Sequence, residues 1–107
     1  MGIPAVHYMI ATGGGVDIPC VPHVTFGTRE FSDMVVETLA DRTACLLGNH
    51  GRIATGPNLR KALWLAVEVE TLAHQYFNAL LIGGPTLLTA AQVEATQQRF
   101  ETYGQHR

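Results

Sequence analysis

One histidine stands at the abrupt end of an apolar run, in a glycine-flanked turn. Residues 44–51 read ACLLGNHG, which places His50 just after the run. An apolar run of about four to eight residues is typical of a buried strand, and glycine lets a ligand or a neighbouring backbone approach closely. An imidazole in such a turn can bind a metal ion or move a proton near neutral pH. A loop histidine with a purely structural role fits the same pattern, so the spacing leaves both interpretations open.

The other candidate ligands do not complete a metal site. A catalytic zinc ion takes about three protein ligands and keeps one position open for substrate. No spacing puts two of the remaining imidazoles on one strand or helix face, since they are scattered along the chain at His7, His23, His74 and His106. Glu70 and His74 are four residues apart in a helical pattern, which favours an exposed side-chain pair over a metal site.

A glycine run and one arginine are weaker candidates for binding a substrate phosphate. The glycine run at residues 13–15 lacks the spacing of a dinucleotide or nucleotide phosphate loop and has no following helix with a lysine, so we interpret it as a loop. Arg52 follows His50 closely. It either brings a cation near a substrate phosphate or only solvates a hairpin, and the sequence does not decide between them.

The elements that position His50 are predicted from periodicity and turn residues. Residues 3–12 are rich in β-branched and aromatic types and predict a strand, and residues 18–22 are extended because proline pushes the preceding residue out of the helical region. Thr28 is a plausible N-cap of a helix that runs to Asp41. Strands at 43–48 and 52–56 predict a hairpin with His50 at its tip.

Two more helices follow the hairpin. The first is opened by residues 56–58 and stopped by the Gly-Gly-Pro of residues 83–85. Its apolar face is predicted to consist of Leu59, Leu63, Ala66, Val69, Ala73, Tyr76 and Leu80. The second begins after Thr89, where Gln92 completes a capping-box pattern.

Composition limits the class of protein. The 107 residues form one domain at most, and 47% hydrophobic against 15% charged residues indicates that apolar surface meets another chain. The net charge of -2 and a single lysine, Lys61, argue against a nucleic-acid partner. No apolar run is long enough to span a membrane and no leader pattern is present. Cys20 and Cys45 are predicted to be buried free thiols, and we expect a cytoplasmic protein.

Several segments together resemble the C-terminal half of the L-fuculose-1-phosphate aldolases, in the class II aldolase and sugar-phosphate epimerase family. They are IPAVHYMIA at 3–11, IPC at 18–20, TFGTRE at 25–30, LLGNHG at 46–51, KALWLA at 61–66 and FETYG at 100–104. The resemblance implies an α/β fold with α/β/α layers around a mostly antiparallel sheet, assembled as cyclic tetramers. Residues 1–107 are therefore predicted to be a single partial domain.

The resemblance also implies roles for four residues. His50 matches the last zinc-binding histidine of the family, and Tyr8 matches its catalytic tyrosine, which reaches the active site of the neighbouring subunit. Phe26 and Tyr103 match the walls of the aldehyde pocket. The other zinc ligands of the family, a glutamate that also acts as the base and a His-x-His pair, lie upstream of the segment that this chain resembles.

The reaction implied is zinc-dependent retro-aldol cleavage of L-fuculose 1-phosphate, or a related deoxyketose 1-phosphate, to dihydroxyacetone phosphate and an aldehyde. In the family, the metal polarises the ketone and hydroxyl oxygens of dihydroxyacetone phosphate, so that in the reverse, bond-forming reaction a proton can leave the adjacent carbon. Two alternatives stay open. The chain can be an inactive remnant that serves as an oligomerisation module, or a relative of the ribulose-phosphate 4-epimerases. In those epimerases the residues after the metal histidine are usually proline and an aromatic, whereas here they are Arg52, Ile53 and Ala54. In each case we expect a homo-oligomer.

Overall fold

The computed structural model describes residues 2–103, with side chains through Glu101, and arranges them in three layers. In chain order the elements are a 3-10 helix Tyr8–Gly13, strand β1 Cys20–Val21, helix α1 Arg29–Thr38, strands β2 Ala44–Leu47 and β3 Gly51–Ala54, and helices α2 Leu59–Leu81 and α3 Ala90–Tyr103. Within the described residues no helix is long and apolar enough to cross a membrane.

The sheet has β2 at its centre. β1 pairs with β2 in parallel, with Val21 aligned to Leu47, and β3 pairs with β2 in antiparallel orientation, with Leu47 aligned to Gly51. Because parallel strands end at the same edge of a sheet, the segment after β1 and the turn after β2 lie side by side. This edge is where the sheet presents His50.

The two faces of β2 are covered by different helices, because side chains alternate along a strand. Ala44 packs into a cluster with the 3-10 helix, α2 and α3, in which Ile10, Val69 and Leu72 are buried. Cys45 and Leu47 pack instead against the apolar side of α1. The predicted α/β/α layers around a sheet are confirmed, and one of the two strand pairs is antiparallel.

The predicted strand over residues 3–12 is wrong. Ile3 makes a single antiparallel bridge with Ile18, with both backbone hydrogen bonds at 2.9 Å. His7 then adopts an extended conformation, and its Nδ1 accepts a hydrogen bond from the backbone N–H of Met9 at 3.1 Å, which caps the 3-10 helix. A side chain that hydrogen-bonds to nearby backbone competes with the backbone pairing of a strand. Here the bond from Met9 to His7 accompanies a 3-10 helix instead of a strand.

The predicted apolar face of α2 is only partly correct. The buried side chains are Leu65, Val69 and Leu72, whereas Leu59 and Leu63 are exposed. The helix carries apolar residues around much of its circumference, so that periodicity alone could not choose the side that faces the sheet.

Helices α1, α2 and α3 begin at the N-cap residues that the sequence predicts. Thr28 accepts a hydrogen bond from the N–H of Phe31, and Asn58 accepts one from the N–H of Lys61. Thr89 and Gln92 form the reciprocal capping box, with N···O distances of 2.9 and 3.2 Å. Gly83 and Gly84 both have positive φ, which ends α2 as expected.

Candidate active site

His50 is the last residue of a three-residue turn between β2 and β3. Its N–H donates to the carbonyl of Leu47 at 3.0 Å, and Asn49 adopts a left-handed conformation with φ of 61°. Gly48 has no room for a side chain, since a Cβ there would lie 2.9 Å from the backbone nitrogen of His23. The backbone of the turn therefore packs against the segment that follows β1, while the imidazole of His50 stays exposed.

A shallow depression of about 340 Å³ surrounds this imidazole. Its lining is formed by His23, Val24, Phe26, Phe31, Gly48, Asn49 and His50. The His50 ring is stacked beside Phe31, with ring centroids 6.4 Å apart and an interplanar angle of 19°. His50 and Phe26, both singled out from the sequence, thus lie in one depression, where a nitrogen donor faces aromatic walls.

Sequence reasoning missed His23, because it considered only pairs on a single strand or helix face. His23 and His50 follow two different strands. Their proximity depends on the parallel pairing of β1 with β2, in which Val21 is aligned with Leu47. The signal that could have found it is the extended, proline-bounded segment that ends just before His23 and can form a strand next to β2.

These residues do not make a complete zinc site. Imidazole is a donor that zinc accepts, but a catalytic site takes about three protein ligands. Across residues 2–103, no group of three or more His, Cys, Asp or Glu side chains lies close enough to hold an ion. The described residues therefore provide fewer than the three protein ligands that a catalytic zinc ion takes.

Tyr8 lies elsewhere. It begins the 3-10 helix with its side chain 53% exposed, and its ring centroid is 4.3 Å from that of His7. A second depression, also about 340 Å³, is lined by Tyr8, Ala95, Thr96, Arg99 and Phe100. The two depressions share no lining residue, so the two principal candidates do not meet within one copy of the chain. Tyr103 ends α3, and its side chain lies outside the described residues, as does His106.

Arg52 makes its hydrogen bonds to helix α2. Its Nε donates to the carbonyl of Ala66 at 3.0 Å, and one of its terminal nitrogens donates to Glu70 at 3.0 Å. Glu70 also contacts His74 at 3.2 Å on the exposed side of α2, as predicted for an exposed pair. Arg52 therefore ties the hairpin to α2 and does not line the His50 depression.

The glycine run begins at the last residue of the 3-10 helix and continues as a packed loop. Gly13 is buried against Ile18, and a Cβ at Gly15 would lie 2.4 Å from the guanidinium carbon of Arg42. Arg42 is itself paired with Asp17 at 3.1 Å. The space beside the glycines is thus taken by the chain's own side chain, in agreement with the prediction of a loop.

Both cysteines are free, as predicted, and Cys45 is buried while Cys20 is half-buried. Burial raises the pKa of the Cys45 thiol, and the neighbouring Cys20 raises it further. A raised pKa leaves less thiolate, the reactive form, at any pH near neutral.

We expect iodoacetamide to modify Cys20 well before Cys45 in the folded chain, as read by peptide mass spectrometry. Equal rates for the two thiols would contradict this, and modification in urea is the control for intrinsic reactivity.

Comparison with known proteins identifies one family from both sequence and structure. The family described as Class II Aldolase and Adducin N-terminal domain matches residues 1–77. L-fuculose phosphate aldolase from Escherichia coli (strain K12) is 52% identical over 103 residues, which cover 95% of this chain and 48% of that protein. A 5-methylthioribulose-1-phosphate/5-deoxyribulose-1-phosphate aldolase from Rhodospirillum rubrum is 49% identical over 102 residues, which cover 95% of this chain and 46% of that protein.

A solved structure of an L-fuculose 1-phosphate aldolase superimposes on this fold with a TM-score of 0.87 at 35% sequence identity. The superposition covers 92% of this chain and 46% of that chain. The chain spans about half the length of the curated relatives it matches. With the sequence matches and the layered fold in agreement, the chain belongs to the class II aldolase and adducin N-terminal domain family.

Proposed function

We propose that this chain supplies part of the active site of a class II sugar-phosphate aldolase. The reaction is retro-aldol cleavage of L-fuculose 1-phosphate, or a related deoxyketose 1-phosphate, to dihydroxyacetone phosphate and an aldehyde. The observation that carries the proposal is the His50 depression, with its aromatic walls, on a fold that superimposes on an aldolase with a TM-score of 0.87. The names of the sequence relatives support a ketose 1-phosphate substrate.

His50 serves in this proposal as one ligand of the catalytic zinc ion. Its exposed imidazole on a tightly held turn suits a ligand whose position must be fixed. We expect the remaining ligands to come from outside this chain, as the family resemblance implies. The described residues hold no group of three candidate ligands, which is consistent with this. The described residues alone are thus not expected to retain the ion.

Tyr8 serves as the general acid, and it acts in the site of a neighbouring copy. It lines a different depression from His50, which supports a site that draws the two residues from two chains. In the direction that forms the carbon–carbon bond, its phenol O–H donates a proton to the aldehyde oxygen and is left as phenolate. In cleavage that phenolate takes the proton from the substrate hydroxyl and becomes phenol again. This arrangement requires a homo-oligomer, and a cyclic tetramer is the form implied by the family resemblance.

Phe26 and Tyr103 serve as walls of the aldehyde pocket. Phe26 is 79% exposed at the mouth of the His50 depression, where an apolar ring would shield the aldehyde end of the substrate from water. Discrimination by such walls is small, about 1 to 3 kcal/mol per methylene group, so the aldehyde is defined only as a class. The cytoplasmic location stays a prediction.

The competing hypothesis is an inactive module that only assembles with other chains. The specific observation in its favour is the incomplete ligand set within the described residues. A 4-epimerase relative is the third hypothesis, and it differs from the aldolase in releasing no dihydroxyacetone phosphate.

A chimeric protein tests these hypotheses directly. It joins this chain to the part of the Escherichia coli aldolase that lies outside the match. We expect the chimera to release dihydroxyacetone phosphate from L-fuculose 1-phosphate or 5-deoxyribulose 1-phosphate in a coupled assay. His50→Ala should abolish the release and lower the zinc content of the chimera. His74→Ala is the matched control, because this imidazole is also exposed but lies outside the His50 depression.

A folded, zinc-loaded chimera that cleaves neither sugar phosphate would contradict the aldolase proposal and favour the module. Isomerisation of a ribulose phosphate without release of dihydroxyacetone phosphate would favour the epimerase.

A further inference from the structure

The depression around His50 contains a second imidazole, that of His23. It lines the same depression as His50 and Phe26. Two backbone contacts hold its segment in place. The N–H of Gly48 donates to the carbonyl of Val21 at 2.8 Å, and a Cβ at Gly48 would lie 2.9 Å from the backbone nitrogen of His23. The segment that carries His23 is therefore fixed against the turn that carries His50.

The ring of His23 is free to bind a ligand. Its side chain is exposed and has no hydrogen-bond or ion-pair partner among the described residues. His7 and His74, in contrast, are held by Met9 and Glu70 of their own chain. No described Asp, Glu, Lys or Arg side chain lines the depression. An imidazole presents an N–H donor in either protonation state, so a bond from His23 does not depend on its titration.

The zinc ion does not need this imidazole. A catalytic zinc ion takes about three protein ligands and keeps a position for substrate. The glutamate and the His-x-His pair that the family resemblance implies already provide these ligands together with His50. The ring of His23 is therefore available to the substrate and not to the metal.

The aldehyde half is the part of the substrate that differs between the named relatives. L-fuculose 1-phosphate carries a hydroxyl at C5, next to the carbon that becomes the aldehyde, whereas a 5-deoxyribulose 1-phosphate carries no hydroxyl there. Phe26 provides an apolar wall in the depression, and His23 provides an N–H donor three residues earlier in the chain. A donor beside an apolar wall suits a carbon that bears both a hydroxyl and a methyl group.

We propose that His23 donates a hydrogen bond to the hydroxyl on the carbon next to the aldehyde carbon. The chain then prefers 2-hydroxyaldehydes over aldehydes without that hydroxyl, because the analogue leaves the donor of the site unpaired. The inference rests on the proposed function, since it concerns one end of the substrate of that reaction. It concerns the completed site, so the chimera described above is the protein to test.

The bond-forming reaction of the chimera tests this with two aldehydes that differ by one hydroxyl. L-2-hydroxypropanal is the aldehyde that cleavage of L-fuculose 1-phosphate releases, and propanal lacks only its hydroxyl. In condensation with dihydroxyacetone phosphate, the wild-type chimera should prefer L-2-hydroxypropanal by about three- to tenfold in kcat/KM. His23→Phe keeps a ring and removes the N–H, so it should abolish this preference and change kcat/KM for propanal by less than about twofold.

Two variants and two further measurements complete the test. His23→Gln retains an N–H donor and should keep part of the preference. Asn49→Gly removes the other polar side chain of the depression, and glycine suits the positive φ of this position. This variant should keep the full preference. Zinc content and circular dichroism should be the same in all four chimeras.

A wild-type chimera without the preference overturns the proposal, as does an equal preference in the wild-type and His23→Phe chimeras. In both cases the aldolase function still stands. Zinc lost in His23→Phe would make His23 a metal ligand and overturn the proposal. Loss of the preference in Asn49→Gly but not in His23→Phe would assign the bond to Asn49. A chimera that condenses neither aldehyde contradicts the proposed function and this inference with it.

Discussion

Tyr8→Phe is expected to lower the kcat of the assembled aldolase by about 10² to 10⁴, the usual contribution of a positioned general acid. The change removes one hydroxyl and keeps the ring, which packs beside His7 with centroids 4.3 Å apart. The fold should therefore be unaffected, and the loss should appear in kcat more than in KM. Steady-state kinetics of the chimera described above measure both constants.

Tyr76→Phe is the control for this prediction, because it removes a phenol hydroxyl from a side chain that packs against the core cluster instead of lining either depression. Mixing provides a second check. Tyr8→Phe and His50→Ala subunits are each inactive alone, and in random mixed oligomers about a quarter of the sites combine an intact Tyr8 with an intact His50. No recovery on mixing would contradict a site shared between copies, and full activity of Tyr8→Phe would contradict its role as the acid.

Leu72→Ala is expected to destabilise the chain by about 2 to 5 kcal/mol. Leu72 is 1% exposed and packs into the cluster between the 3-10 helix, β2 and α2, where truncation leaves a cavity that the surroundings fill only in part. Small domains are typically stable by about 5 to 15 kcal/mol, so this single change removes much of the margin. Urea denaturation followed by circular dichroism measures the free energy of unfolding.

Leu59→Ala is the matched control for the core prediction. Leu59 is 89% exposed on the same helix, and its truncation should change the stability by less than about 0.5 kcal/mol. If both substitutions cost the same, the assignment of the inner face of α2 is wrong.

The hairpin and helices α1, α2 and α3 were predictable because their signals are local. Thr28, Asn58 and Thr89 cap their helices through side-chain bonds to nearby backbone groups. The first strand was mispredicted because its β-branched residues suit a strand, while one bond from Met9 to His7 redirects the backbone. The buried face of α2 was predicted only in part because Leu63 and Leu65 are equally apolar, and packing against the rest of the fold determines which of them is buried.

The sequence proposed the candidate residues one by one but could not give their arrangement. The sequence pointed to His50, Phe26 and Tyr8, and the structure brings the first two together. The proximity of His23 to His50 depends on the parallel pairing of β1 and β2, which no local pattern encodes. Tyr8 likewise lies in a depression that forms only because α3 packs against the 3-10 helix.

In the proposed function, this chain carries one ligand of a metal site that residues outside it complete. Elemental analysis of the purified 107-residue chain, dialysed against zinc at neutral pH, tests that claim. We expect no stoichiometric zinc in either the wild-type chain or His50→Ala. One zinc ion per chain, lost in His50→Ala, would contradict the claim and mean that the chain assembles a complete site by itself.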